Sequence, residues 1–295
     1  MTRAGAQHIT FIGGGNMAEA IIGGLIENGF ERGNITLSEI VTARAQYMQE
    51  SFGINLAPDS ASAILGYEGN GHSKAQVVVF AVKPQVMKQV ALSLSSSLVE
   101  TNPLVITIAA GIRTTALARW LSTDDNGDVI EGAKIPVVRC MPNTPALVLC
   151  GATGLYANAN TNEDHKEIAN EILCSISKTQ WLDDEYMLDA VTAVSGSGPA
   201  YFFLMLEAME NAGVKAGLPK EVANALAIQT CLGAAKMAEK SGEDFAELRR
   251  KVTSPNGTTE AAIKTMERGE VREWIEKGVL AANTRSQELG EMFKD

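Results

Sequence analysis

The stretch ITFIGGGNMAEAIIGGLIENGF, from Ile9 to Phe30, constrains the fold more than any other part of the chain. A short β-branched run passes through three glycines straight into an apolar-periodic segment, which reads as a buried strand, a tight turn and a helix. Gly13, Gly15 and Ala18 fall at the spacing G-x-G-x-x-G/A. Each has a physical role. Gly13 turns the chain, Gly15 lets the backbone approach a pyrophosphate, and Ala18 lets the helix pack against the strand. Gly14, Asn16 and Met17 complete the turn, where free N–H groups and the helix dipole favour an anion. A purely structural turn of three glycines would match the same pattern, so its meaning depends on the rest of the chain.

Beyond the glycine turn lies a series of strand candidates: NITLSE (Asn34 to Glu39), QVVVFAV (Gln76 to Val82), LVITIAA (Leu104 to Ala110), PVVRCM (Pro136 to Met141), TGLYAN (Thr153 to Asn158) and TQWLDD (Thr179 to Asp184). Several are apolar enough to be buried on both faces. Helical segments fill the gaps, most clearly Asn16 to Asn28, Pro84 to Leu98, Thr114 to Leu121 and Glu163 to Ser177. Alternation of this kind predicts a parallel sheet covered by helices, an α/β domain of the doubly wound Rossmann type over residues 1–183. After Asp184 the strands stop. Long helices broken at SGSGPAY, NAGVKAGLPKE, KSGED and SPNGTT predict an all-helical second domain over 184–295, with small residues at helical spacing (ALAIQTCLGAAKMA) that permit close packing.

Ligands of such sheets bind outside the carboxyl ends of the strands. The second strand ends at Glu39, about 20 residues beyond the glycines, the distance at which an acid bonds the adenosine ribose hydroxyls. Taken alone, Glu39 favours NAD over NADP, but Arg44 and Ser38 are candidate partners of a 2′-phosphate, so both cofactors stay open. Ala81, Val82, Lys83 and Pro84 leave the third strand and Ala109, Ala110 and Gly111 the fourth, giving further cofactor-edge candidates. Pro84 also suits the first turn of a helix, and Lys83 would serve equally as a solvated cation.

The 295 residues are 45% hydrophobic and 20% charged, a globular composition, and the formal net charge of -10 argues against nucleic acid or an anionic membrane as a partner. Any anionic ligand must be held by local groups. Cys140, Cys150, Cys174 and Cys231 show no CxxC spacing and read as reduced thiols, Cys140 as a packed one. No metal site is expected, and His8, His72 and His165 fall in no motif. No apolar run approaches the roughly 20 residues of a membrane span. The start reaches a strand and a glycine turn too soon for a signal peptide, which predicts a cytoplasmic protein.

Taken in order, IGGGNMAEAI, FAVKPQ, TIAAGI, RCMPNTPA, SGSGPAY and SPNGTT resemble the motifs of the pyrroline-5-carboxylate reductase family over essentially the whole chain. The resemblance implies reduction of the cyclic imine Δ1-pyrroline-5-carboxylate to L-proline, the final step of proline biosynthesis, with NADPH or NADH and a modest preference for NADPH. It implies a homodimer joined through C-terminal helices, often gathered into a larger ring such as a decamer. It carries the substrate site onto Ser254, Asn256, Gly257, Thr258 and Thr259, where N–H groups and a hydroxyl receive the carboxylate and Thr259 contacts the ring nitrogen; Ser254 and Thr259 are the catalytic candidates. A helix cap at Thr258 or Thr259 is the alternative reading. The chain departs from the family in Pro255-Asn256-Gly257, where Pro-Gly-Gly is usual; Asn tolerates the left-handed conformation. It also departs in the longer polar segment Ser122 to Pro136, assigned to a surface loop.

Two rival readings are a β-hydroxyacid dehydrogenase and a dinucleotide-sensing regulator without turnover. The first needs a lysine where Phe202 stands in the alignment with Gly196 and Gly198, so its acid-base group would be missing.

Overall fold

The computed structural model describes residues 4–66, 73–124 and 126–294; His72 and Asp125 lie outside them. The chain forms two units, Met1–Gly196 together with Ala282–Asp295, and Ser197–Ala281. The division expected at residues 183 and 184 falls inside the first unit.

The first unit runs β1 (Ile9–Ile12), α1 (Asn16–Glu27), β2 (Ile35–Ser38), α2 (Thr42–Phe52), β3 (Asn55–Leu56), α3 (Ser60–Leu65), β4 (Val77–Phe80), α4 (Pro84–Thr101), β5 (Leu104–Thr107), α5 (Thr114–Leu121), β6 (Val137–Met141), β7 (Gly151–Ala157), α6 (Glu163–Cys174), β8 (Ser177–Trp181) and α7 (Met187–Val191). The sheet order is β3-β2-β1-β4-β5-β6-β7-β8. β1 lies between β2 and β4, parallel to both, so the direction of winding reverses between β1 and β4.

Period-two alternation explains why the central strands are apolar throughout. Val77 and Val79 join Phe11, Leu37 and Ile106 in a core shared with α1, α2 and α6. Val78 and Phe80 join Ile12 and Val105 in a second core against α3, α4 and α5. Both faces are covered, and the parallel strands from β3 to β6 make the expected Rossmann-type sheet.

Three details differ from the sequence reading. β7 runs antiparallel to β6. Its connection, Pro142 to Cys150, holds only a short 3-10 turn at Thr144–Val148, and a parallel return needs a crossover of a dozen or more residues. β3, an edge strand of two residues, is too short to carry a periodic signal. α6 ends at Cys174 rather than Ser177, because the hydroxyls of Ser175 and Ser177 bond back to the carbonyls of Ile172 and Leu173 and release the chain into β8. The described residues of 122–136 form a loop, mostly exposed but buried at Ser122, Ile135 and Pro136, with an antiparallel bridge from Thr123 to Val129 and Asp124 accepting the N–H groups of Asn126 and Asp128.

Ahead of the second unit, Thr192–Gly196 forms a π turn. The second unit contains α8 (Gly198–Lys215), α9 (Lys220–Ser241), α10 (Phe245–Lys251) and α11 (Thr258–Arg268). α12 (Val271–Met292) begins in this unit and ends in the first. Pro199 sits in the first turn of α8, where its missing N–H has no consequence, instead of kinking a helix interior. No helix among the described residues is long and apolar enough to cross a membrane.

Candidate active site

The carboxyl ends of the parallel strands are in register: Ile12 pairs with Ser38 and Phe80, Phe80 with Thr107, and Thr107 with Arg139. Their exits therefore form one rim, with the reversal of winding between Gly13 and Ala81. Gly13 has φ +96, and a Cβ there would lie 2.9 Å from the Ala81 carbonyl oxygen, so only glycine fits. At Gly15 the nearest atom would be 4.0 Å away, which leaves space over the turn. Gly15 is the N-cap of α1 and makes no side-chain cap bond. The N–H groups of Asn16, Met17 and Ala18 have no acceptor among the described residues. An open, glycine-floored turn with free donors at a helix N-terminus fits the pyrophosphate of a dinucleotide.

At the end of β2 the Glu39 carboxylate folds back over the turn. Oε2 accepts the Gly14 N–H at 2.7 Å and Oε1 the Val41 N–H at 2.8 Å. Arg44, on α2, donates from Nε to the Gly14 carbonyl at 2.6 Å and from Nη2 to Glu19 at 2.6 Å. The Ser38 hydroxyl is buried and bonded to Ser60 Oγ at 2.8 Å, turned into the protein. Glu19 and Tyr47, which sequence reasoning passed over, complete this cluster: the Tyr47 hydroxyl donates to Glu19 at 2.8 Å. Both sit at ordinary surface positions of their helices, so no local signal marks them.

Further along the rim, Ala81 and Val82 wall the glycine turn, and Lys83 is an exposed N-cap ahead of Pro84 at the start of α4. Ala109 is buried, Ala110 exposed, and Gly111 has φ +78; a Cβ on Gly111 would meet the Phe293 ring at 3.2 Å. That rim is braced by buried charge. Glu185 accepts the N–H and the hydroxyl of Thr114 at the start of α5 and pairs with Arg139 at 3.0 Å. Asp189 receives Arg113 at 3.0 Å and the Ser286 hydroxyl at 2.7 Å. Neither acid falls in a motif, so no local signal marks it.

Cys140 is fully buried, and desolvation pushes its thiol far above the ordinary range, so it is inert. His165 belongs to the capping box of α6 with Asn162, and His8 lies at the opposite, amino edge of the strands.

In the second unit, the turn between α10 and α11 holds the other candidates. Asn256 adopts φ 58, the left-handed conformation expected of it, and Gly257 donates to the Ser254 carbonyl at 3.1 Å. A side chain on Gly257 would collide with Ser254 Oγ. Gly257 is the N-cap of α11 with no side-chain cap bond, so the cap is neither Thr258 nor Thr259. The N–H groups of Thr258 and Thr259, and their hydroxyls, have no partner among the described residues. Glu260 Oε2 accepts the Asn256 N–H at 2.9 Å. Hydrogen bonds from Lys264 and from that N–H hold the Glu260 carboxyl below its usual range.

Comparison with known proteins bears on both units. Residues 8–111 match the model described as NADP oxidoreductase coenzyme F420-dependent, and residues 185–289 match pyrroline-5-carboxylate reductase dimerisation. The pyrroline-5-carboxylate reductase of Pseudomonas aeruginosa is 46% identical over 97% of this chain and 97% of its own. A solved pyrroline-5-carboxylate reductase from Coxiella burnetii superposes with a TM-score of 0.86 at 41% identity, covering 96% of this chain and 98% of that one. The Plasmodium falciparum pyrroline carboxylate reductase solved with NADP bound gives a TM-score of 0.80 at 26% identity over 97% and 98% of the two chains. Identity at this level along nearly the full length, over both the sheet and the helical region, shows that this chain belongs to the pyrroline-5-carboxylate reductase family.

Proposed function

We propose that the chain catalyses the reduction of Δ1-pyrroline-5-carboxylate to L-proline with NADPH or NADH, the last step of proline biosynthesis. The observation that carries this reading is a pair of glycine-capped helix starts without side-chain caps, at Gly15 and at Gly257. One suits a pyrophosphate and the other a carboxylate, the two anionic groups of a dinucleotide and an amino-acid-like substrate.

A bound nicotinamide supplies the hydride, so the protein needs neither a nucleophile nor a metal. The N–H groups of Asn16, Met17 and Ala18 would hold the pyrophosphate, and Glu39 would bond the adenosine ribose. Thr258 and Thr259 present N–H groups to the substrate carboxylate, with Ser254 and Thr259 adding hydroxyls. Pro255 and left-handed Asn256 set the turn, and Glu260 holds it through the Asn256 N–H. The Thr259 oxygen accepts the N–H of the protonated imine, which favours the electrophilic form. An imine already protonated on nitrogen would need no separate acid from the chain, since the proton held at Thr259 would stay on the product amine as the hydride neutralises the positive charge.

We assign cofactor binding to residues 1–183, and substrate binding and dimerisation to 184–295. The assembly reading is a homodimer through the C-terminal helices, gathered into a larger ring such as a decamer, and the compartment is the cytoplasm. The apolar surface of α8 and α9 supports association, as does the match of 185–289 to a dimerisation family.

Imine-dependent loss of reduced-nicotinamide absorbance tests the reading. We expect turnover with the imine and none with hydroxyacids, for which Phe202 offers no acid-base group. Gly257→Val should raise KM for the imine and weaken binding of proline. Cofactor binding without any imine turnover would favour a sensing regulator.

A further inference from the structure

The same cluster that ends β2 bears on which dinucleotide the crevice prefers. In a Rossmann-type site an acid at this position bonds the ribose 2′-hydroxyl, and a nearby arginine accommodates a 2′-phosphate. Here both are present, and their bonding partners decide between them. Glu39 is held by two backbone donors, Gly14 N–H and Val41 N–H, so its carboxylate is fixed over the glycine turn, where a ribose hydroxyl would meet it. Arg44 is the available cation, but its charge is already matched. Nη2 lies 2.6 Å from Glu19 Oε2, and Nε is taken by the Gly14 carbonyl.

Glu19 is itself fixed. Burial works against its charge, but the hydrogen bonds from Arg44 and Tyr47 and the Arg44 charge outweigh that effect and hold its carboxyl below the usual range. The Tyr47 ring also lies under the guanidinium, 5.1 Å from it. Ser38, the remaining candidate for a phosphate contact, is turned inward onto Ser60. Two carboxylates therefore stand against one guanidinium where a phosphate would bring about two further negative charges. A neutral diol meets no such opposition and finds an acceptor in Glu39.

We propose that the crevice favours NADH over NADPH, and that Glu19 is the specificity-determining residue, acting by neutralising Arg44. This rests on the reductase reading, but it concerns binding and is judged without the imine.

The test is the ratio of dissociation constants for NADPH and NADH, measured by nicotinamide fluorescence on the whole chain without substrate, with kcat/KM for the imine measured separately. The wild type should bind NADH the more tightly. Glu19→Gln should lower the NADPH-to-NADH ratio about tenfold, and Glu19→Asp, which keeps the charge, should move it back towards wild type. Arg44→Ala should change the ratio less than about threefold in the wild-type background, and should abolish the gain in the Glu19→Gln background. Tighter NADPH binding by the wild type would overturn the proposal. So would a large loss of NADPH affinity in the Arg44→Ala single variant, which shows Arg44 reaching the phosphate despite Glu19. A ratio that behaves as stated in a protein with no imine turnover would leave this inference standing and remove the reductase reading.

Discussion

The two units treat their apolar residues in opposite ways. In the first, Phe11, Phe80, Ile21, Leu37 and Met87 are removed from water between sheet and helices. In the second, the buried apolar side chains among the described residues are Ala223 and Ala227, while Phe203 is 65% and Leu204 68% exposed on α8 and Leu226 is 55% exposed on α9. The presence of large apolar residues does not separate the two, since Leu, Met and Phe occur in both. The lesson is that the sheet closes its own core, whereas helices with apolar faces on several sides need another surface to cover them.

That contrast can be attacked from both sides. The largest effect is expected in the closed core. Phe80→Ala, on a strand covered on both faces, should cost about 3–5 kcal/mol of unfolding stability by chemical denaturation. A loss under about 1 kcal/mol would mean that the sheet core is looser than its burial indicates.

Next comes the open face. Leu226→Asp on α9 should weaken association at least about 30-fold, roughly 2 kcal/mol, read by sedimentation across a dilution series. The sheet should keep its folded signature. An ordinary surface position would shift stability by no more than about 0.5 kcal/mol and leave the assembly state untouched.

The smallest effect sharpens the comparison at the sites. Thr259→Val, at the start of α11, should lower turnover about tenfold, or roughly 1.4 kcal/mol, because its oxygen meets the nitrogen whose bonding changes. Its effect on cofactor affinity, measured by nicotinamide fluorescence, should be under about twofold. A matching loss in cofactor affinity would assign Thr259 to the fold of the turn instead of to the imine.

Local chemistry made much of this protein legible from its sequence alone. The β-branched runs fixed which segments are strands, because a run buried on both faces has no polar alternation to hide. Gly13 had to be glycine to turn beside Ala81, and Asn256 took the left-handed angle that its side chain tolerates. Pro84 opened a helix, as a residue without an N–H does best at a first turn. These outcomes depend on a residue and its immediate neighbours. Tertiary structure decided the rest. The antiparallel course of β7 follows from a connection too short to cross the sheet. Glu185 and Asp189 are buried because Thr114, Arg139, Arg113 and Ser286 arrive from distant parts of the chain to meet them. Arg44 could be read from sequence as a phosphate ligand, yet its charge is bound to Glu19 on another helix. A charged side chain is legible by type but not by partner, because its effect depends on what lies within a few ångströms, and chain order does not record that distance.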